Sequence, residues 1–351
     1  QMARKSMYDV LNAKIAAMHS KLLTDEDYKK LIVLKSPADI ARYLKANTEY
    51  RPFLEQINLD SVSRVDLEKI FEERLVDILT RLAKYCEGPY KGFIKSFFMK
   101  YEIDELKEIA RQIHIDGKSG EPSRGMAFIK RNRRIAMAKV ISAKSITDLI
   151  HALEETVYFP LLKSLLQETE DGEKRLFSFE MTLDKAYFYA LKENAYKLKK
   201  RDRLVFKELM GTYIDMINIQ LIYRGKKYYK LSPEELFNYS MDDGFRFNYK
   251  KILQLCYTKN DQEFKAIVGE TPYAFMLKGD PNQDLFMERR MNRYMYYQCR
   301  SALNKFAGDI SSLLAFLQLV EFEIKDLISL IENVRYGMEY EEARNYLIKA
   351  I

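Results

Sequence analysis

The residues that most resemble a reactive site are Gly117, Lys118 and Ser119, which match the end of a phosphate-binding P-loop. A P-loop also needs a glycine five positions before its last glycine, and a lysine that opens a helix after a strand. Position 112 is instead Gln112, and no strand pattern precedes it. We interpret the glycine-rich run 116–125 as a linker. One hypothesis for the function, a phosphate- or RNA-binding enzyme, rests on this run and on the basic runs described below.

Cysteine and histidine, the usual metal and redox residues, are few and widely spaced. They fall in no zinc, haem or Cys-x-x-Cys spacing, and they are Cys86, Cys256, Cys299, His19, His114 and His151. The chain also lacks a nucleophile elbow, a helical pair of histidines and paired carboxylates beside glycines. The sequence therefore predicts no catalytic residue, no cofactor, no metal and no small-molecule substrate, with three reduced and buried cysteines.

Three short basic runs could bind an anionic partner; they are 130–134, 197–203 and 224–227. The net charge of +7 is small for a nucleic-acid-binding protein, and acidic helices separate the runs. One interpretation is solvated helix surface, and the other is a face that docks on an acidic protein surface. As the contact face we single out five residues, which are Arg131, Arg133, Arg134, Lys226 and Lys227.

The composition indicates that helices position these residues. Glycine and proline together make up 21 of 351 residues, about 6%, which is roughly half the usual share. Apolar residues such as Leu313, Phe316, Leu317 and Val320 recur at helical spacing. The longest apolar run, 313–320, is far shorter than the roughly 18 residues of a membrane-spanning helix. With no signal-peptide pattern in residues 1–5, we expect an all-α cytoplasmic protein.

A threefold internal repeat organises the predicted helices. A Thr-x-Tyr motif follows an acid-marked helix in each copy, at residues 48–50, 156–158 and 271–273. An apolar–acid–base triplet then opens a long helix, at residues 67–69, 183–185 and 287–289. A closing helix ends each copy, at residues 105–111, 218–224 and 326–332. The order predicts three related helical units, 1–115, 116–227 and 228–351, with Tyr50, Tyr158 and Tyr273 at equivalent, mostly buried helix corners.

Four segments of the chain resemble the C subunit of the V/A-type rotary ATPases, whose eukaryotic counterpart is the d subunit. They are the opening segment and parts of the three closing helices, residues 8–23, 101–107, 215–226 and 321–327. The resemblance covers essentially the whole chain. It implies three helical domains around a pseudo-threefold axis, which form a funnel-like body.

The resemblance also implies a function without an active site. In this family the protein belongs to the central rotor, where one face receives the D and F subunits of the central stalk and the other sits on the membrane ring of proteolipid subunits. The membrane stator subunit is a further possible partner, and nucleic acid is not one. Such a chain is peripheral to the membrane through its complex. The alternative is a soluble helical-repeat scaffold that binds protein partners away from membranes.

Overall fold

The computed structural model describes residues 7–117, 126–167, 172–278, 286–305 and 308–350. All secondary structure in these segments is helical, which confirms the predicted all-α class. The described segments contain the following α-helices: α1 (Met7–His19), α2 (Asp25–Leu31), α3 (Pro37–Asn47), α4 (Arg51–Leu54), α5 (Arg64–Ala83), α6 (Pro89–Asp116), α7 (Met137–Ser142), α8 (Ile146–Ala152), α9 (Phe159–Leu162), α10 (Glu173–Tyr196), α11 (Lys200–Lys227), α12 (Pro233–Tyr239), α13 (Tyr249–Cys256), α14 (Asp261–Gly269), α15 (Met287–Lys305), α16 (Ser311–Tyr336) and α17 (Tyr340–Tyr346).

Side-chain caps determine where the acid-marked helices α3, α8 and α14 begin. Each N-cap side chain accepts a hydrogen bond of 2.9–3.1 Å from the backbone N–H three residues later; the caps are Ser36, Ser145 and Asn260. The residues that donate are acidic, namely Asp39, Asp148 and Glu263. A negative charge in the first turn also interacts favourably with the positive end of the helix dipole. The acid that marks the repeat is therefore part of a helix start.

Two antiparallel pairs of long helices, α6 with α10 and α15 with α16, include the closing segments on α6 and α16; the remaining closing segment lies on α11. For example, Arg111 Nε of α6 lies 2.6 Å from Glu180 Oε1 near the start of α10, and Ser96 Oγ lies 2.9 Å from Asn194 Nδ2 near its end. One predicted marker is wrong in detail: the triplet 183–185 lies in the middle of α10. That helix already begins at Glu173, because residues 173–182 contain no helix breaker.

The described helices enclose two hydrophobic cores. The larger core includes the first half of α16, where residues 311–320 are all buried. The smaller core combines residues 23–71 with residues 327–347, so both ends of the chain contribute to it. Packing therefore joins the predicted first and third units. The boundaries 1–115, 116–227 and 228–351, like the pseudo-threefold funnel, stay predictions.

Two further sequence expectations concern membrane helices and thiols. In the segments described above, no helix has both the length and the apolarity that crossing a bilayer requires. Cys86, Cys256 and Cys299 are buried and form no disulfide, as the sequence predicted.

Candidate functional site

Each Thr-x-Tyr motif folds into the same hydrogen-bonded turn. The threonine Oγ1 donates to a backbone carbonyl three or four residues earlier, at 2.6–2.7 Å, and accepts from the tyrosine N–H at 3.2 Å. A hydroxyl group that does both ends a helix and fixes the direction of the chain after it. The three tyrosines, Tyr50, Tyr158 and Tyr273, are each 1% exposed, which confirms their predicted burial.

Each tyrosine hydroxyl donates to a buried carboxylate on a closing helix. The three bonds are Tyr158 to Glu102 of α6 at 2.5 Å, Tyr273 to Asp215 of α11 at 2.7 Å, and Tyr50 to Glu323 of α16 at 3.0 Å. Tyr158 and Tyr273 thus contact the closing helix of the preceding predicted unit. Tyr50, in the first unit, contacts α16, the closing helix of the third. Sequence reasoning missed these acids, although they are separated by 113 and 108 residues, the spacing of the closing helices.

The three carboxylates differ in their other partners. Glu323 also accepts from Arg74 Nη1 at 3.0 Å and from the Leu23 N–H at 2.6 Å. Asp215 accepts from two further backbone N–H groups, and Glu102 accepts from Asn132 Nδ2 at 3.0 Å. Burial raises the pKa of both Asp215 and Glu102.

A second set of polar side chains lies three residues further along the closing helices. Glu105, Asn218 and Asp326 each accept from backbone N–H groups later in the chain, at N···O distances of 2.6–3.0 Å. The donors are Phe128 and Ile129 for Glu105, Met241 for Asn218, and Ile348 and Lys349 for Asp326. Burial raises the pKa of Glu105 to about 8 and the pKa of Asp326 to about 7. These residues hold the returning chain against α6, α11 and α16.

A cavity of about 680 Å³ lies between α6, α10, α11, α15 and α16. Ion pairs line it. Lys325–Glu321 at 3.7 Å lies within α16, and four others join different helices: Arg111–Glu180 at 2.6 Å, Lys107–Asp184 at 2.9 Å, Lys325–Glu288 at 3.5 Å and Lys100–Glu321. They connect α10 to α6, α6 to α16 and α16 to α15. Although burial opposes the charge on Lys325, Glu321 and Glu288 raise its pKa, so the ammonium group stays charged.

The cavity lining also includes an apolar set of side chains. This set is formed by Phe177, Met181, Ile217, Leu221, Met241 and Met291. Methionine side chains adapt to different partners because they are flexible and polarisable. The cavity lining therefore combines ion pairs with apolar side chains, a combination that fits an amphipathic protein segment.

The structure places the five predicted contact residues on two elements. Arg131, Arg133 and Arg134 are exposed in and after the 3-10 turn Ile129–Arg131. Lys226 and Lys227 occupy the last turn of α11. Lys226 Nζ donates to the Thr258 carbonyl at 2.6 Å, and burial lowers the pKa of this lysine. The Lys226 ammonium group is therefore partly used inside the molecule.

The glycine of the P-loop-like triplet ends a helix and does not begin one. Gly117 closes α6 with φ +66°, a left-handed conformation that glycine adopts without strain, and its N–H donates to the Ile113 carbonyl at 2.9 Å. Lys118 and Ser119 lie outside the described residues. In the described segments, no group of three or more His, Cys, Asp or Glu residues has an arrangement that could hold a metal ion.

Comparison with known families gives a match over nearly the whole chain. A family described as ATP synthase (C/AC39) subunit matches residues 11–346. The chain belongs to this C/AC39 family. The C/AC39 match spans the three Thr-x-Tyr motifs and both sets of closing-helix polar residues.

Several archaeal proteins that are named as the C subunit of A-type ATP synthase are similar to this C/AC39 chain. The protein of Methanocaldococcus jannaschii is 23% identical over 348 residues, which are 97% of this chain and 86% of the relative. That of Methanococcoides burtonii is 22% identical over 353 residues, 99% of this chain and 96% of the relative. That of Pyrococcus horikoshii is 27% identical over 221 residues, 62% of this chain and 56% of the relative.

Proposed function

We propose that the chain is a non-catalytic part of the central rotor of a V/A-type rotary ATPase, which couples the central stalk to the membrane proteolipid ring. The observation that carries this proposal is the cavity whose long helical walls are joined by ion pairs. A part that transmits torque must resist twisting. Charge-assisted bonds between packed helices supply that resistance, because they oppose sliding of one helix past another.

The proposal assigns the cavity to the end of the stalk formed by the D and F subunits, and the opposite face to the proteolipid ring. The ion pairs and apolar side chains of the cavity lining suit an amphipathic helical segment. Three closing helices of related sequence suit a circular partner, an argument by analogy with the family fold. The membrane stator subunit is a further partner. The chain then resides in the cytoplasm and reaches the membrane through its complex.

A cavity-filling variant tests this assignment. Gln220 lines the cavity and is half-buried, so Gln220→Trp should occupy part of the space and weaken binding of a purified D–F stalk complex. Lys265→Trp, on the exposed surface of α14, is the matched control and should bind the stalk like the unmodified chain. Undiminished binding by the folded Gln220→Trp variant would overturn the cavity assignment.

The basic contact face is the second part of the proposal. Reversal of the five charges at Arg131, Arg133, Arg134, Lys226 and Lys227 should weaken assembly without unfolding the chain. High salt should also detach the chain, since the Debye length falls from about 10 Å at 0.1 M to about 3 Å at 1 M. Recovery of the complex at physiological salt measures the effect. Full recovery of the reversed variant would exclude this face and leave the cavity assignment intact.

The isolated chain should hydrolyse no ATP. The variant Lys118→Ala, in the P-loop-like triplet, should then behave like the unmodified chain in a turnover assay. ATP turnover that persists through purification and disappears in Lys118→Ala would favour the enzyme hypothesis over the rotor.

A further inference from the structure

One basic run, 197–203, has no role in the function proposed above. From Asn194 to Lys207 the chain contains six basic residues and one acidic residue, Asp202. This segment forms the turn between α10 and α11 and the first two turns of α11. Such a density of like charge is unfavourable by itself and attracts anions.

The acidic residue of this run is used inside the molecule. Asp202 is 1% exposed, and its Oδ2 accepts from the Tyr8 hydroxyl at 2.5 Å and from the Tyr90 hydroxyl. Its Oδ1 accepts from the Ile310 N–H at 3.0 Å. These donors belong to α1, to α6 and to the start of α16. Asp202 therefore anchors the basic turn to three other elements and offers no charge to the surface.

The basic side chains point outward, together with apolar groups. Lys197, Lys199, Lys200 and Arg203 are exposed. Leu204 is 62% exposed beside them, and Tyr196 is 45% exposed with its hydroxyl bound to Asp243. The neighbouring Arg201 pairs with Asp309 at 3.1 Å. The result is a short segment, anchored through Asp202, that exposes four cations, a leucine and a tyrosine.

We propose that this cationic patch, defined as Tyr196, Lys197, Lys199, Lys200, Arg203 and Leu204, binds the anionic headgroup surface of a lipid bilayer. Lysine and arginine bind lipid phosphates, while tyrosine and leucine enter the boundary between headgroups and acyl chains. Lysine is depleted in protein–protein interfaces, which favours a membrane over a protein as the occupant. This contact goes beyond the proposed function, which requires only protein partners.

Vesicle flotation of the full chain tests the patch. The chain should float with phosphatidylcholine vesicles that contain phosphatidylglycerol and not with phosphatidylcholine alone. Each basic residue near an anionic surface increases binding by roughly fivefold, so K197Q/K199Q/K200Q/R203Q should bind at least about a hundredfold more weakly. Leu204→Ser keeps the charge and should still weaken binding, by roughly tenfold, because it removes an apolar side chain from the boundary.

A matched control separates the patch from net charge. The variant K250Q/K251Q/K259Q/K265Q removes the same charge from four exposed lysines of α13, α14 and the turn between them, and it should float like the unmodified chain. Equal losses in both four-site variants, with circular dichroism showing folded chains, would overturn the proposal. It would also be overturned if the unmodified chain did not float with the anionic vesicles. If the 197–203 variant in addition failed to join its complex, the patch would bind protein.

Discussion

At the scale of single residues, Glu323 joins parts of the chain that are remote in sequence. Its carboxylate accepts from Leu23, Tyr50 and Arg74, and the side chains of Arg74 and Glu323 are only 6% and 5% exposed. A buried ion pair of this kind gains little over an apolar contact of the same shape. Loss of one partner, however, leaves a charge in a medium that solvates it poorly.

Removal of Arg74 should therefore be costly. We expect Arg74→Met to lower the free energy of unfolding by about 3–5 kcal/mol, and the added change Glu323→Gln to recover part of that loss. Urea denaturation of both variants measures the two effects. The control Arg81→Met breaks the exposed Arg81–Asp77 pair and should cost less than about 1 kcal/mol. Similar losses in Arg74→Met and Arg81→Met would contradict the role of burial.

Glu105 should make stability depend on pH. Burial raises the pKa of this carboxyl to about 8, above its value of about 4.3 in an unfolded chain. Between these pH values the folded state holds a proton that the unfolded state has lost, so the free energy of unfolding should fall as pH rises. Glu105→Gln should flatten this fall in urea titrations from pH 4.5 to pH 8.

Asp148 provides a control of opposite sign. Backbone hydrogen bonds hold the pKa of Asp148 below its usual range, so its contribution is lost as pH falls toward acid. Asp148→Asn should therefore leave the slope between pH 4.5 and pH 8 unchanged. If the free energy of unfolding of the unmodified chain instead rose with pH, and Glu105→Gln flattened that rise, the pKa of Glu105 would be lowered and not raised.

At the scale of elements, the Thr-x-Tyr turns connect short helices to closing helices through one hydroxyl each. Loss of the three tyrosine hydroxyl groups should have different effects, because the carboxylates that accept from them have different remaining donors. Without its tyrosine, Glu323 still has Arg74 and Leu23, and Asp215 still has two backbone N–H donors. Glu102 keeps the Asn132 amide. The tyrosine hydroxyl of this motif therefore contributes unequally to stability at the three helix corners.

Substitution of each tyrosine by phenylalanine tests this inequality. Tyr158→Phe should cost the most, about 1–3 kcal/mol, because it leaves the buried Glu102 short of a donor. Tyr50→Phe and Tyr273→Phe should cost less. Chemical denaturation of the three variants under one condition gives the ranking. Equal losses would show that the remaining donors to the three carboxylates do not determine the cost.

At the scale of the whole molecule, the two ends of the chain close on each other. Ala343 and Leu347 belong to the core formed by residues 23–71. Lys349 Nζ donates to the Leu23 carbonyl at 2.9 Å and pairs with Asp25 at 2.8 Å, while Asp326 binds the N–H groups of Ile348 and Lys349. The last segment of the chain thus stabilises helices near its beginning.

Deletion of residues 340–351 should loosen the start of the chain. We expect faster amide hydrogen exchange in α2 and α3, because both lose apolar partners from the shared core. Exchange in α13 should stay unchanged, since its buried residues belong to the other core. Mass spectrometry of exchanged peptides measures both regions. Uniform acceleration across the chain would indicate a global loss of stability and not a shared local core.

The local features of this protein can be predicted from its sequence. Helix class, the capped starts of α3, α8 and α14, and burial of Tyr50, Tyr158 and Tyr273 all follow from residue types within a few positions of each other. Such signals depend on backbone geometry that repeats every helical turn, so they can be recognised from the order of residues alone. The start of α10 was misplaced because a triplet inside a continuous helix carries no start signal.

Which distant residues contact each other depends on the tertiary structure. Tyr158 and Glu102 are 56 residues apart, and Tyr50 and Glu323 are 273 apart. The spacing of Glu102, Asp215 and Glu323 was present in the sequence, but an acid on a helix face gives no indication of its partner. The ion pairs across the cavity and the core shared by the chain ends are equally non-local. Long-range contacts of this kind depend on how whole helices pack, and that packing is a property of the assembled molecule.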